Sequence, residues 1–192
     1  CMEHWENGTP NPEGGKIRKK CKQIVLGITY GMGAKLMAES LGISIEECKS
    51  ILDKFFEMFP AVKQFMIDNE KDVKEKGFVE TLYHRRRYVP ELKSNNYMVR
   101  QFGHRVAMNT PIQGTAADIM KIAMIELYKQ MKNRKLESKL LLQIHDELLL
   151  EVKEEEKETV KEILVTSMEN AMKLTVPLKV DLSEANNWYE AK

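Results

Sequence analysis

The stretch from Leu140 to Leu150 reads LLLQIHDELLL, in which two apolar runs meet around a His-Asp-Glu triplet. Apolar runs of this length without Gly or Pro are typical of two short buried strands, so the triplet becomes the tip of a tight hairpin. Neither central residue of that tip is a glycine, which predicts a turn other than the usual primed types and a carboxylate, Asp146, on a rigid support. Such a carboxylate suits a metal ion. The alternative is a solvated turn with incidental charges.

The composition indicates a soluble globular protein inside the cell. The 192 residues are 43% hydrophobic, enough for one core or two subdomains. No apolar run approaches the roughly 20 residues of a membrane span, and the N-terminus lacks the order of a signal peptide. The three cysteines, Cys1, Cys21 and Cys48, are odd in number and widely spaced. This spacing argues against a disulfide framework and against a zinc site.

The net charge of +1 conceals an uneven distribution of charge along the chain. Residues 83–105 contain six Lys or Arg and one acid, whereas residues 151–162 contain six acids and three lysines. Four aromatic residues interleave the basic block. A basic segment with aromatic residues is typical of a surface that attracts a nucleic-acid backbone, and it also fits a solvated face. The aromatic residues are Tyr83, Tyr88, Tyr97 and Phe102.

Glycines, prolines and capping residues divide most of the chain into predicted helices. Gly31 and Gly42 end the first two, Ser44 with Glu47 forms a capping box before the third, and Pro60 opens the fourth at its first turn. The predicted helices cover about residues 16–30, 34–41, 45–59, 60–76, 97–110, 113–131 and 154–173.

The remaining segments are predicted as loop and β-structure. Residues 1–15 form a loop, 78–90 a short irregular β segment, and 177–182 a strand that joins the hairpin as a third antiparallel member. The expected fold class is therefore α+β and mostly helical, with a helical subdomain and a small antiparallel sheet flanked by helices.

One face of the first predicted helix carries Arg18, Lys22, Leu26 and Tyr30 at steps of four residues. This spacing keeps the side chains on a single, slowly drifting face. Its cations can hold phosphates while the apolar and aromatic residues meet sugar and base, as a nucleoside triphosphate requires. The alternative is an amphipathic helix with solvated lysines.

Arg105, Asn109 and Gln113 repeat this spacing, with Pro111 kinking the path between the last two. Side-chain amides can donate to minor-groove acceptors that every base pair shows, and so can check duplex geometry without reading sequence. The alternative is that these amides cap backbone groups freed by the proline.

The hairpin tip alone cannot hold a two-metal centre. In phosphoryl transfer two divalent ions about 4 Å apart clamp the attacking and leaving oxygens, and several carboxylates hold them. In a regular strand Glu147 faces away from Asp146. It is therefore a secondary ligand, a structural group, or neither.

Taken in order, the motifs of this chain resemble those of the family A DNA polymerases over nearly its whole length. Residues 18–31 (RKKCKQIVLGITYG) resemble the fingers-helix motif of the family, and residues 85–90 (RRRYVP) resemble its arginine-rich template-side segment. The primer-template helix of the family resembles residues 105–118 (RVAMNTPIQGTAAD), and its C-terminal palm motif resembles residues 144–147 (IHDE). The ending NWYEAK, residues 187–192, also matches the family.

The resemblance implies a role for each matching residue of the fingers helix. Arg18 and Lys22 would contact the incoming triphosphate, and Lys22 would also donate a proton to the pyrophosphate. Tyr30 would pack near the templating base, and Leu26 lies where the family touches the sugar.

The same resemblance implies the catalytic and duplex-binding sets. Asp146 would hold Mg²⁺ in a two-metal site that this chain supplies only in part, with Glu147 beside it. His145 would lie near the primer end and belong to both sets. Single-subunit RNA polymerases characteristically place Ser after the His-Asp pair, so Glu147 favours a DNA polymerase. The other implied DNA-binding residues are Arg85, Arg86, Arg87, Arg105, Asn109 and Gln113.

The implied organisation is an N-terminal loop (1–15), a fingers subdomain (16–100) and the C-terminal part of a palm subdomain (101–192). The implied activity is template-directed DNA synthesis from primer-template DNA and dNTPs, in the cytoplasm of a bacterial or phage-infected cell. A second function stays open, that of a catalytically silent primer-template-binding module.

Two substitutions depart from the family pattern. Leu26 replaces the usual Phe or Tyr, which predicts altered dideoxynucleotide discrimination and slower incorporation. Leucine at this position occurs in some phage members and favours a viral or prophage source. His84 replaces the Gly that usually precedes the arginine triplet.

The family also carries a second catalytic aspartate upstream of the fingers helix, and only 17 residues precede Arg18. The chain is therefore expected to be the C-terminal part of a polymerase, and not to polymerise alone. A fragment made for expression, a split-gene product and a segment released at an intein junction all fit. Its expected partner is the N-terminal polymerase half, with the thumb and the first palm motif.

Overall fold

The structure is a computed structural model that describes residues 5–6, 9–10 and 12–191. The chain folds as two compact units, Cys1–Ile112 and Gln113–Lys192. Within the described ranges, no helix combines the length and the apolar character that a bilayer crossing demands.

Four helices form most of the first unit, and the glycine and capping signals predict their ends well. Gly42 and Gly77 adopt left-handed conformations, with φ of 67° and 77°, and end the second and fourth helices. The Ser44 hydroxyl accepts a hydrogen bond from the backbone N–H of Glu47 at 3.0 Å, as the capping box predicts. The helices are α1 (Pro12–Thr29), α2 (Ala34–Leu41), α3 (Ile45–Met58) and α4 (Pro60–Lys76).

The N-terminal segment differs from the predicted loop. α1 begins at Pro12, about one turn before the predicted start, because Pro is favoured in the first turn of a helix. Two short strands, β1 (Trp5–Glu6) and β2 (Thr9–Pro10), pair antiparallel ahead of it. The other residues of the predicted loop before Pro12 lie outside the described residues.

The rest of the first unit is a hairpin followed by a helix. Strand β3 (Phe78–Glu80) pairs antiparallel with β4 (Arg86–Tyr88), which confirms the β segment predicted over 78–90. A 3₁₀ turn (Pro90–Lys93) leads to α5 (Tyr97–Asn109), and a π-helix (Thr110–Gly114) follows at the predicted proline break.

Two clusters of buried apolar side chains stabilise the first unit. One lies among α1 to α4 and includes the fully buried Met37 and Cys48. The other joins α4, the β3–β4 hairpin and α5. Its buried members are Val73, Val79, Val89, Val106 and Ala107.

The second unit packs a hairpin on two helices. Strands β5 (Lys139–Ile144) and β6 (Glu147–Glu151) follow α6 (Thr115–Asn133) and pair antiparallel, as predicted. The prediction that they are buried is wrong, because only one face of this two-stranded hairpin is covered and no residue of either strand is fully buried. A 3₁₀ turn (Glu154–Glu156) then leads to α7 (Lys157–Glu169). Leucines of the inner hairpin face cover the buried side chains of α6 and α7, which fixes the hairpin on a rigid base. They are Leu140, Leu148 and Leu150, over Leu127, Met131, Ile163 and Leu164.

The third strand predicted over residues 177–182 is wrong, since these residues, all of them described, form no strand. The backbone N–H of Val180 donates to the Glu169 carboxylate at 3.2 Å instead of to a neighbouring strand. Glu184 pairs with Lys161 of α7 at 2.6 Å, so side chains of α7 hold this segment. α7 also ends at Glu169, four residues before the predicted end.

Glu156 anchors the open end of the β5–β6 hairpin. Its carboxylate accepts hydrogen bonds from the Ser138 hydroxyl and from the backbone N–H groups of Glu137 and Ser138. The Ser138 hydroxyl and then the Glu137 N–H hold the pKa of Glu156 below its ordinary value of 4.5. The ionised carboxylate therefore stabilises the fold more than the protonated form does.

Glu156→Gln should lower the free energy of unfolding at neutral pH, because an amide cannot accept this set of donors. A depressed folded-state pKa contributes stability that is fully present above the unfolded-state pKa and is lost as the pH falls through the folded-state pKa. The difference between wild type and variant should therefore shrink below about pH 4.5. Urea titrations from pH 3 to pH 7 measure it. Glu155→Gln is the matched control, and an equal loss in both variants would contradict the anchor.

Candidate functional site

The predicted phosphate-binding face of α1 is its exposed side. Arg18 and Lys22 are exposed, and Leu26 and Tyr30 keep 40% and 37% of their surface accessible. Ile28, on the other side of the helix, is buried in the core of the first unit. The stripe is therefore available to a ligand, while the opposite face of α1 holds the helix in place.

The C-terminal end of this stripe lies against α5. Gly31 has φ of 65° and turns the chain sharply after α1. A Cβ on Gly31 would lie 3.7 Å from both Cα and Cγ of Arg105. The fold thus brings the end of the α1 stripe next to the first residue of the predicted duplex-contacting set.

The arginine triplet sits on a tight turn that is built around Thr81. The buried Thr81 hydroxyl accepts hydrogen bonds from the backbone N–H groups of Tyr83 and Arg85, at 3.3 and 3.2 Å. His84 adopts φ of 58°, a left-handed conformation that glycine takes without strain. This conformation explains why a glycine suits the position. Arg85 follows the turn, and Arg86 and Arg87 lie at the start of β4. All three side chains are exposed, and we call this segment the arginine turn.

Glu80, which the sequence patterns did not single out, holds one of the three arginines. Nε of Arg86 donates to the Glu80 carboxylate at 2.8 Å, and the guanidinium lies 4.7 Å from the ring centre of Phe78. The hydrogen bond with Arg86 lowers the pKa of Glu80. The β3–β4 register places Glu80 opposite Arg86. The sequence could have indicated this pair only if the register of the hairpin had been predicted.

One of the two predicted amides directly precedes the π-helix and the other lies within it. Asn109 is the last residue of α5 and is half-buried, whereas Gln113 is exposed within the π-helix. Pro111 explains the interruption because it has no N–H to donate and its ring clashes with the preceding turn. Such π-segments are rare and often occur at functional sites.

The hairpin tip is a two-residue turn made by His145 and Asp146. His145 has a positive φ of 54° but Asp146 does not, so the turn is not of type I′, which needs positive φ at both central residues. The expectation of a turn other than the usual primed types stays a prediction. Histidine tolerates this region better than most residues, and the Gln143 side chain donates to the His145 carbonyl at 3.0 Å. This hydrogen bond links the end of β5 to the turn.

His145, Asp146 and Glu147 are all exposed at this tip. Among the described residues, no group of three or more His, Cys, Asp or Glu side chains is placed to hold a metal ion. The donor type nevertheless fits magnesium, which takes hard oxygen ligands and is often held by one or two carboxylates with water and phosphate. Asp146 can therefore be one ligand of such an ion but not a complete site.

Comparison with known proteins decides the family. The sequence profile described as DNA polymerase family A matches residues 4–190. The chain belongs to DNA polymerase family A. This confirms the family that the motifs indicated, whereas the phage origin stays a prediction.

Curated relatives of this family A chain are bacterial DNA polymerases I. It is 46% identical to the Bacillus subtilis (strain 168) enzyme over 176 residues, which cover 92% of this chain and 20% of the relative. It is 43% identical to the Streptococcus pneumoniae (strain R6) enzyme over 191 residues, which cover 100% of this chain and 21% of the relative. The chain thus spans about a fifth of the length of these relatives.

A solved structure gives the same result for the fold of the family A chain. The POL domain of Pol1 from M. smegmatis, in complex with DNA primer-template and dNTP, is 40% identical and has a TM-score of 0.88. The match covers 94% of this chain and 31% of that domain. The predicted fold class, α+β and mostly helical, is confirmed.

Proposed function

We propose that this chain provides the nucleotide-binding helix, the duplex-binding helix and one metal-binding carboxylate of a DNA-directed DNA polymerase. The observation that carries the proposal is the exposed stripe of α1, which ends against Arg105 of α5. A face with two cations followed by an apolar and an aromatic residue suits a nucleoside triphosphate. Membership of family A and the primer-template and dNTP bound to the Pol1 domain support the same assignment.

Different residues of the α1 stripe bind different parts of the nucleotide. Arg18 and Lys22 hold the phosphate oxygens, and the Lys22 ammonium donates a proton to the leaving pyrophosphate as the primer hydroxyl attacks the α-phosphorus. Leu26 contacts the sugar, and Tyr30 packs near the templating base. Each side chain is exposed and points away from the core, as this division requires.

The duplex is held by side chains of α5, the π-helix and the arginine turn. Arg105, Asn109 and Gln113 line the minor groove, where amide donors meet acceptors common to all base pairs. Arg85, Arg86 and Arg87 bind the phosphate backbone. In this assignment the Glu80 ion pair orients Arg86.

The hairpin tip faces the reacting end of the primer. Asp146 is a magnesium ligand, His145 lies near the primer terminus, and Glu147 stands beside the ligand. When bound, magnesium neutralises charge on the phosphate oxygens during the displacement. The turn on its α6 and α7 base keeps the Asp146 carboxylate in a fixed position.

The proposed boundaries are a loop at 1–15, fingers at 16–100 and part of the palm at 101–192. The carboxylates that complete the metal site are proposed to lie in polymerase sequence outside these 192 residues, whether in the same polypeptide or in another one. The fivefold greater length of the curated relatives supports this partner. The proposed place of action is the bacterial or phage-infected cytoplasm.

A chimera tests the proposal. In it this chain replaces the matching fifth of the Bacillus subtilis DNA polymerase I, and primer extension is measured with dNTPs and Mg²⁺. Extension of the primer would support the proposed polymerase function. Binding of primer-template without extension would leave the second candidate, a silent binding module, whose basis is the exposed arginine turn.

Leu26→Phe should increase the rate of nucleotide incorporation by the chimera and change its discrimination against dideoxynucleotides, each by roughly two- to tenfold. An aromatic ring gives the sugar a flat surface that leucine lacks. Single-turnover incorporation of dNTP and ddNTP measures both effects. Val25→Phe adds a ring to a neighbouring exposed position of α1 and is the matched control. Unchanged kinetics in Leu26→Phe would refute the sugar contact.

A further inference from the structure

The proline break after α5 removes one backbone hydrogen bond. In an α-helix the carbonyl of Ala107 would accept from the N–H of residue 111, four positions later. Residue 111 is a proline and has no N–H, whereas the N–H of Thr110 still donates to the Val106 carbonyl. The Ala107 carbonyl therefore lacks its α-helical donor at position 111, and Ala107 is fully buried.

A side chain of α4 provides this donor. Nδ2 of Asn69 donates to the Ala107 carbonyl at 2.6 Å, in a partly buried hydrogen bond between residues 38 positions apart. The neighbouring Glu70 lies 3.7 Å from Nδ1 of His104, so α4 faces the last turns of α5 along this side. Asn69 thus stands in for the missing backbone N–H.

We infer that Asn69 is a positioning residue for duplex recognition: its amide donates to the Ala107 carbonyl, which Pro111 deprives of its α-helical donor, and so fixes the last turn of α5. Asn109 lies two residues after Ala107, in this turn. The inference rests on the proposed function, because Asn109 contacts DNA only if the chain binds primer-template. The role of Asn69 is to fix where the Asn109 amide lies.

The first experiment is a double-mutant cycle on thermal stability of the 192-residue chain. Asn69→Leu keeps the size of the side chain and removes its donor, and should lower Tm by roughly 2–4 °C. Pro111→Ala restores a backbone N–H at position 111, so Asn69→Leu should cost clearly less in that background. Gln64→Leu, which removes an exposed amide from the same helix, is the matched control and should show no such coupling.

The second experiment measures binding of a fluorescein-labelled primer-template by anisotropy at low salt. Asn69→Leu should weaken binding by roughly three- to tenfold, and should add nothing in an Asn109→Ala background, because the effect passes through Asn109. A merely structural loss would weaken binding equally in both backgrounds.

The outcomes separate the two proposals. Equal Tm losses with and without Pro111, or wild-type affinity in Asn69→Leu, would overturn the positioning role while leaving the proposed function intact. If the wild-type chain binds no primer-template while the Tm cycle shows coupling, the proposed function fails, and the part of the inference that concerns duplex recognition fails with it. Coupling in Tm together with masking by Asn109→Ala is the result that we expect.

Discussion

Asp146→Asn should reduce primer extension by the chimera by more than about a thousandfold, with little change in its affinity for primer-template. The exposed carboxylate at the hairpin tip is the proposed magnesium ligand, and an amide is a far weaker ligand for a hard cation. The turn itself should persist, since Gln143 holds it through the His145 carbonyl. Single-turnover extension and anisotropy measure the two quantities separately.

The control for this substitution is Glu151→Gln, at the far end of β6, which removes an exposed carboxylate of the same unit. It should leave extension within about twofold of wild type, as surface substitutions usually do. If Asp146→Asn extends primers at the rate of the control, the hairpin tip is not part of the metal site.

Lys22→Ala should lower the maximal incorporation rate of the chimera by about 10²- to 10³-fold, the usual effect of removing one group that stabilises transition-state charge. Lys22 lies in the middle of the exposed α1 stripe, one turn after Arg18. Lys22→Arg keeps the charge but holds its proton too tightly to donate it, and should recover only part of the rate. Rapid-quench kinetics over a range of dNTP concentrations give the rate and the apparent affinity.

Lys20→Ala is the matched control, because Lys20 is an exposed cation on another side of α1. It should keep near-wild-type kinetics. A loss in apparent dNTP affinity alone in Lys22→Ala would contradict the proton transfer but not the phosphate contact.

Local signals were sufficient to predict most of the helical framework. Gly42, Ser44, Pro60 and Gly77 each act through their own backbone or a neighbour within three residues, so the sequence shows their effect directly. The segment 177–182 could not be predicted in this way. Its extended pattern resembles that of a strand, but the Glu169 carboxylate of α7 accepts from the Val180 N–H, and Lys161 of α7 pairs with Glu184 just beyond the segment.

In the candidate site, too, features set by local sequence were predicted and features set by tertiary contacts were not. The spacing of Arg18 to Tyr30 predicted one exposed face because helical periodicity alone determines it. Glu80 and Asn69 were missed because their partners, Arg86 and Ala107, are met only through tertiary structure. The hydrogen bond from the Gln143 side chain to the His145 carbonyl was missed as well, because spacing alone does not show which backbone group a side chain meets.

Template direction is the central claim, and incorporation of single nucleotides by the chimera tests it most directly. Four primer-templates that differ only in the templating base are each given one dNTP at a time with Mg²⁺. We expect that only the complementary dNTP is added rapidly, and that Asp146→Asn removes this addition. Failure of a folded, DNA-binding chimera to add any nucleotide, or addition that ignores the templating base, would contradict it.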